Sequence, residues 1–136
     1  MRFLIILSIT IAQLSSYATA QVINLDRSLG FSNLGKQITY FEDKKANLTL
    51  TEIKALSENG RFKKGETNIL NLRNSKSAFW VRIDYRGKAK EKNYLMLDVP
   101  NIEYIDFYVE SDHGLIHRKT GALLPPSLGV TISNNY

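Results

Sequence analysis

The sequence has no cysteine, two histidines and a single tryptophan in 136 residues. Without cysteine there is no disulfide, no thiol nucleophile, no Cys-ligated zinc and no lipid anchor on a cysteine. Stability must then come from packing and from the sheet ladder. The two histidines, His113 and His117, would face one another on a helix. They lie instead in a stretch that reads as turn then strand, where residues four apart are separated by about 13 Å. No third ligand of suitable spacing accompanies them, so no metal site is expected. HExxH, GxSxG, the P-loop and GxGxxG are all absent. Neither an activated nucleophile nor a pair of carboxylates stands out. No catalytic residue and no cofactor is expected, and the chain does not read as an enzyme.

Long apolar runs are scarce too. The run over residues 3–12 is about half of the ~20 residues needed to cross a bilayer. It follows the basic start Met1-Arg2 and precedes the small-residue pattern Ala18-Thr19-Ala20. That order reads as a signal peptide over residues 1–20, with a mature chain from Gln21 exported to the periplasm or beyond. About 116 residues remain, the size of one domain, expected over residues 21–136. The formal charge is +5, but the lysines are scattered and interrupted by Glu42-Asp43, Glu66 and Glu91. Such a distribution reads as solvated loops and not as a nucleic-acid interface.

What the chain has is alternation. Phe79, Val81, Ile83 and Tyr85 alternate with Trp80, Arg82, Asp84 and Arg86; later, Leu95, Leu97 and Val99, then Ile105, Phe107 and Val109, occupy every second position. Period two is the signature of a strand with one apolar face. Strands are predicted over 22–25, 37–41, 68–72, 78–85, 93–99, 102–109 and 115–118. One stretch changes period: Leu50, Ile53 and Leu56 share a helical face, Thr49 and Glu52 form a capping-box pair, and Asn59-Gly60 offers a stop. Many short strands with one helix near residues 50–58 predict a mainly β fold, a β-sandwich. Phe79, Val81, Ile83, Leu95, Leu97, Ile105, Phe107 and Val109 are its expected core.

The opposite faces carry Trp80, Arg82, Tyr104, Asp106 and Tyr108. A binding site for a polar ligand such as a sugar needs an aromatic plane and a few fixed hydrogen-bonding groups. These five residues supply both and are the candidate ligand-binding residues. The structural alternative is open at this stage: Arg82 pairs with Asp106 under a loop, and Trp80 covers the core edge beneath the helix.

Taken in order, Tyr40-Phe41-Glu42-Asp43, the helix, Phe62, Phe79-Trp80-Val81-Arg82-Ile83, Leu95-Met96-Leu97, Ile105-Asp106-Phe107-Tyr108-Val109, Thr120-Gly121 and Pro125-Pro126-Ser127 form a pattern. It resembles the type 2 extracellular sensor domain of bacterial seven-transmembrane receptors with diverse intracellular signalling modules. The resemblance covers about residues 30–128. It implies a jelly-roll fold like that of carbohydrate-binding modules, and a periplasmic position ahead of a seven-helix membrane domain and an output module in the same chain. It also implies one or two strands beyond Ser127, where this chain has only residues 128–136. That departure leads to the expectation of a stand-alone or truncated relative lacking its last strands. Two functions follow: a sensor module for a small polar ligand, carbohydrate among them, or a non-catalytic interaction or dimerisation module.

Overall fold

The computed structural model describes residues 18–25, 31–73, 75–87, 94–98 and 102–124. Most of the expected signal peptide, the Pro100-Asn101 break and the segment after residue 124 lie outside them. The described residues are mainly β with one short helix. The strands form open sheets, as a β-sandwich requires. The chain divides into two compact units, Met1–Lys90 and Glu91–Tyr136.

In the first unit β1 (Ile23–Asn24) pairs in parallel with β5 (Tyr85–Arg86). The amides of Ile23 and Leu25 donate to the carbonyls of Asp84 and Arg86, both at 2.9 Å. A second sheet has the order β3-β2-β4, from β3 (Lys63–Lys64), β2 (Thr39–Asp43) and β4 (Ala78–Arg82), antiparallel throughout. Residues directly opposed in such a ladder point to the same side. Thr39 faces Arg82, Phe41 faces Trp80 and Asp43 faces Ala78. Thr39 and Asp43 are buried, so Trp80, half-buried, lies on the covered side of this sheet, and Arg82 shares that side at its edge with its side chain 49% exposed.

That reverses the expectation for β4. Val81, assigned to the core, is 43% exposed, and it shares its side with Tyr40. The reason lies in β2, whose inward set is Thr39, Phe41 and Asp43. The Asp43 carboxylate is drawn in because it accepts the amides of Lys45 (3.2 Å) and Leu48 (2.9 Å). Those bonds shape the turn that leads into α1 (Leu50–Glu58). Of the apolar residues expected inside, Leu95 and Leu97 are also exposed, and residues 94–98 form no strand. Nor do residues 68–72, because the amide of Gly35 bonds the carbonyl of Asn68 in an irregular crossing. The buried apolar residues among those described are Ile23, Ile38, Ile53 and Phe62.

Helix α1 forms where its signals place it. Thr49 is the N-cap, with Glu52 closing a capping box. Gly60, at φ 67°, takes the left-handed turn at the other end, and the amide of Arg61 returns to the carbonyl of Leu56. The Thr49 amide and hydroxyl both donate to Glu52 Oε2 at 2.7 Å. The amide bond first, then the hydroxyl bond, hold the Glu52 carboxyl below its ordinary value. A depressed carboxylate contributes stability above its unfolded pKa and loses it as pH falls through the folded one. Wild type should therefore lose stability in acid below the ordinary Glu range more steeply than Glu52→Gln. Denaturant titrations at several pH values compare the two slopes, and equal slopes would count against the capping box.

In the second unit β6 (Ile105–Ser111) and β7 (Gly114–Thr120) form a hairpin with Ile105 opposite Thr120 and Ser111 opposite Gly114. Asp112 and His113 make the loop, and Gly114 at φ 116° takes a conformation that side chains disfavour. Both strands are longer than the alternation indicated at their C-terminal ends, to Ser111 and Thr120.

Backbone crowding in the first unit yields a further expectation. A Cβ on Gly65 would run into the carbonyl oxygen of Gly35. The Gly65 amide meanwhile donates to the Ile38 carbonyl at 3.1 Å, so the segment cannot simply back away. Gly65→Ala should cost about 1–3 kcal/mol, as overpacked positions do. Urea unfolding measures it, and a loss under about 0.5 kcal/mol would mean the two segments do not cross so closely.

Candidate functional site

The hairpin gathers chemistry on one face. Asp106 lies opposite Lys119 and Tyr108 opposite His117, so all four share a side. His117 Nε2 lies 2.6 Å from Asp106 Oδ1, and Lys119 Nζ lies 3.4 Å from the same oxygen. The rings of Tyr108 and His117 stack with centroids 4.3 Å apart and planes within 10°. The side chains of Asp106 and His117 are each 38% exposed, so the cluster is open to a ligand while its members hold one another in place. A stacked pair of flat rings beside a carboxylate and an ammonium group offers an apolar plane, acceptors and donors within one small area. Tyr104 is exposed and, two residues before Asp106, continues the same alternation beyond the strand.

Three of the five residues singled out from the sequence, Tyr104, Asp106 and Tyr108, thus belong to this unit. Asp106 and Tyr108 are joined there by His117 and Lys119. In the sequence His117 stands out only through its spacing from His113. The signal that could have found it is register: a two-residue loop at Asp112-His113 puts Tyr108 opposite His117. Among the described residues no group of three or more His, Cys, Asp or Glu could hold a metal ion.

Trp80 and Arg82 belong to the first unit. Trp80 opposes Phe41, whose ring stacks on Phe62 at 5.8 Å. Phe62 is buried, and its register lies one step beyond the pairing of Tyr40 with Lys63. Phe62, Phe41 and Trp80 thus form an aromatic row across three strands, and the indole Nε1 is buried. Arg82 Nε donates to Asp84 Oδ1 at 2.8 Å, and its Nη1 donates to Ser57 Oγ of α1 at 2.9 Å. Arg82 and Asp106 thus each have partners within their own unit.

A β-rich extracellular sensor domain is the class to which this fold corresponds. The chain belongs to the 7TMR-DISM extracellular 2 family, whose model matches residues 35–133. Among curated proteins none matches the chain. Membership makes the chain an extracellular sensor domain of the seven-transmembrane receptor type, with a periplasmic or extracellular location. In relatives the domain accompanies a seven-helix membrane domain. No helix among the described residues is long and apolar enough to cross a membrane.

The ring stack is testable in solution. A proton held over an aromatic face is shielded, so the ring protons of His117 should resonate upfield of an ordinary histidine. In Tyr108→Leu they should return downfield, while those of His113 stay put. Unchanged His117 resonances would mean that the rings are not stacked in solution.

Proposed function

We propose that this sensor module recognises a small polar ligand of the carbohydrate class through the hairpin face of Asp106, Tyr108, His117 and Lys119, with Tyr104 beside it. The observation that carries the reading is the stacked Tyr108–His117 pair flanked by Asp106. The ring pair supplies a plane for the apolar face of a sugar. The Asp106 carboxylate accepts from hydroxyls, and Lys119 donates to them. Because His117 and Lys119 already fix Asp106, little side-chain freedom is lost on binding. Affinity for one small sugar should fall in the range of about micromolar to millimolar, or −8 to −4 kcal/mol.

Trp80 and Arg82 offer the same types of group in the first unit, and Trp80→Ala and Arg82→Ala test them separately. A glycan array followed by calorimetry on the whole chain should find a neutral sugar that binds. Tyr108→Leu and Asp106→Asn should each weaken it at least tenfold, about 1.4 kcal/mol. If no sugar binds, or if binding persists in both folded variants, the hairpin face is not the site.

A second reading, a non-catalytic interaction or dimerisation module, has its own support. Tyr94, Met96 and Leu97 are 78%, 64% and 52% exposed in one short stretch, and large apolar residues grouped in this way mark contact surfaces. Trp80, turned to the covered side of its sheet, fits that reading as well. Sedimentation over a range of protein concentrations separates the two, since only the second makes mass depend on concentration.

A further inference from the structure

The uncovered side of the β3-β2-β4 sheet holds a cavity of about 560 Å³. None of the five candidate ligand-binding residues read from the sequence lines it. Its size is that of ordinary small-molecule sites, about 300–1,000 Å³. Tyr40 and Phe79 supply aromatic surface, and Lys44, Arg61, Lys63 and Arg73 surround it. The register explains the gathering: Tyr40 opposes Lys63, and Glu42 opposes Phe79. Arg61 falls opposite Glu42 when the β3 pairing is extended by two residues. Arg73 arrives from the loop, at φ 55°, with its amide held by Asn71 Oδ1 at 3.0 Å.

The charges are what decide the chemistry. What sets this place apart is that four cations gather around one concave surface, whereas Arg82 and Lys119 each sit beside a carboxylate, Asp84 and Asp106. Among the described residues none of the four cations around the cavity has an ion-pair partner. The one carboxylate in the lining, Glu42, accepts the Ser77 hydroxyl at 2.8 Å. Like charges collected around one concave surface repel one another, and an anion seated among them relieves that repulsion. Arginine forks and lysine ammonium groups both suit carboxylate and phosphate oxygens. The aromatic surface suits a ring.

We propose that this cavity binds a small ring compound bearing a carboxylate or a phosphate, with its oxyanion met by Arg73, Arg61, Lys63 and Lys44 and its ring against Tyr40 and Phe79. The site is independent of the hairpin face and of the reading built on it. Calorimetry on the whole chain uses galacturonate, glucose 6-phosphate and neutral glucose as probes. The variants are Arg73→Gln and Lys63→Gln, with Lys36→Gln as a control of equal charge change away from the cavity. At least one acidic probe should bind, more weakly in about 0.5 M salt, where surface charges are screened. Arg73→Gln and Lys63→Gln should each weaken it by about fivefold or more, while Lys36→Gln leaves it unchanged. Which acidic probe binds better tells carboxylate from phosphate, and either result supports the site. Failure of both acidic probes to bind folded protein overturns the proposal. So does equal loss in Lys36→Gln, or retention of affinity in folded Arg73→Gln and Lys63→Gln.

Discussion

The register of β2 against its two neighbours governs what each side of the first unit's sheet can do. β2 is bonded along both edges, so its alternation is imposed on β3 and β4. With Thr39 opposite both Lys64 and Arg82, the row of Phe62, Phe41 and Trp80 falls on the covered side. Tyr40, Glu42, Phe79 and Lys63 fall on the other. A slip of one residue would exchange the two sets and put the aromatic row in water. Asp43 makes such a slip costly. Its buried carboxylate accepts two local backbone amides, and a slipped strand would have to carry that carboxylate and the turn it holds to the other side of the sheet. The placement of a cationic cavity and the turning of the tryptophan to the covered side are therefore two results of one pairing.

The second unit solves a different problem with less material. A two-stranded hairpin has little interior of its own, and β7 is exposed along most of its length. Its polar face compensates through cross-strand pairs. Asp106 meets Lys119 and His117 across the ladder, and Tyr108 covers the imidazole. Pairs of this kind contribute roughly 0.2–1 kcal/mol each. They also leave a set of side chains whose positions are fixed before any ligand arrives. In the proposed reading, order in this face and recognition of a ligand would come from the same contacts.

Much of this was legible in the chain itself. Thr49, Glu52 and Gly60 announce the helix because capping is local chemistry, readable from neighbours in sequence. The alternation around Asp106 and Tyr108 announces β6 for the same reason. What alternation does not carry is the identity of the covered side when both sides hold apolar residues. In β4 the choice between Phe79-Val81 and Trp80-Arg82 was made by β2, through Asp43 and the turn it anchors, some forty residues earlier in the chain. Nor does composition show that 68–72, rich in Leu, Ile and Asn, would be spent on an irregular crossing with Gly35. His117 was hidden for a related reason: its importance depends on which residue lies across the hairpin. The cationic cavity draws on stretches distant in sequence, and its four cations belong to no motif.

The pairing of β1 with β5 has a consequence for the order in which this chain folds. Ile23 and Tyr85 are neighbours in space but distant in sequence, and only two residues on each side form the ladder. Closing so large a loop costs conformational entropy that two paired residues repay poorly. The hairpin and the capped helix, whose contacts are local, need no such closure. Strand β1 is therefore a late arrival in folding. It is also an early departure when the native state opens, because its short ladder can detach while the antiparallel sheet beside it stays intact.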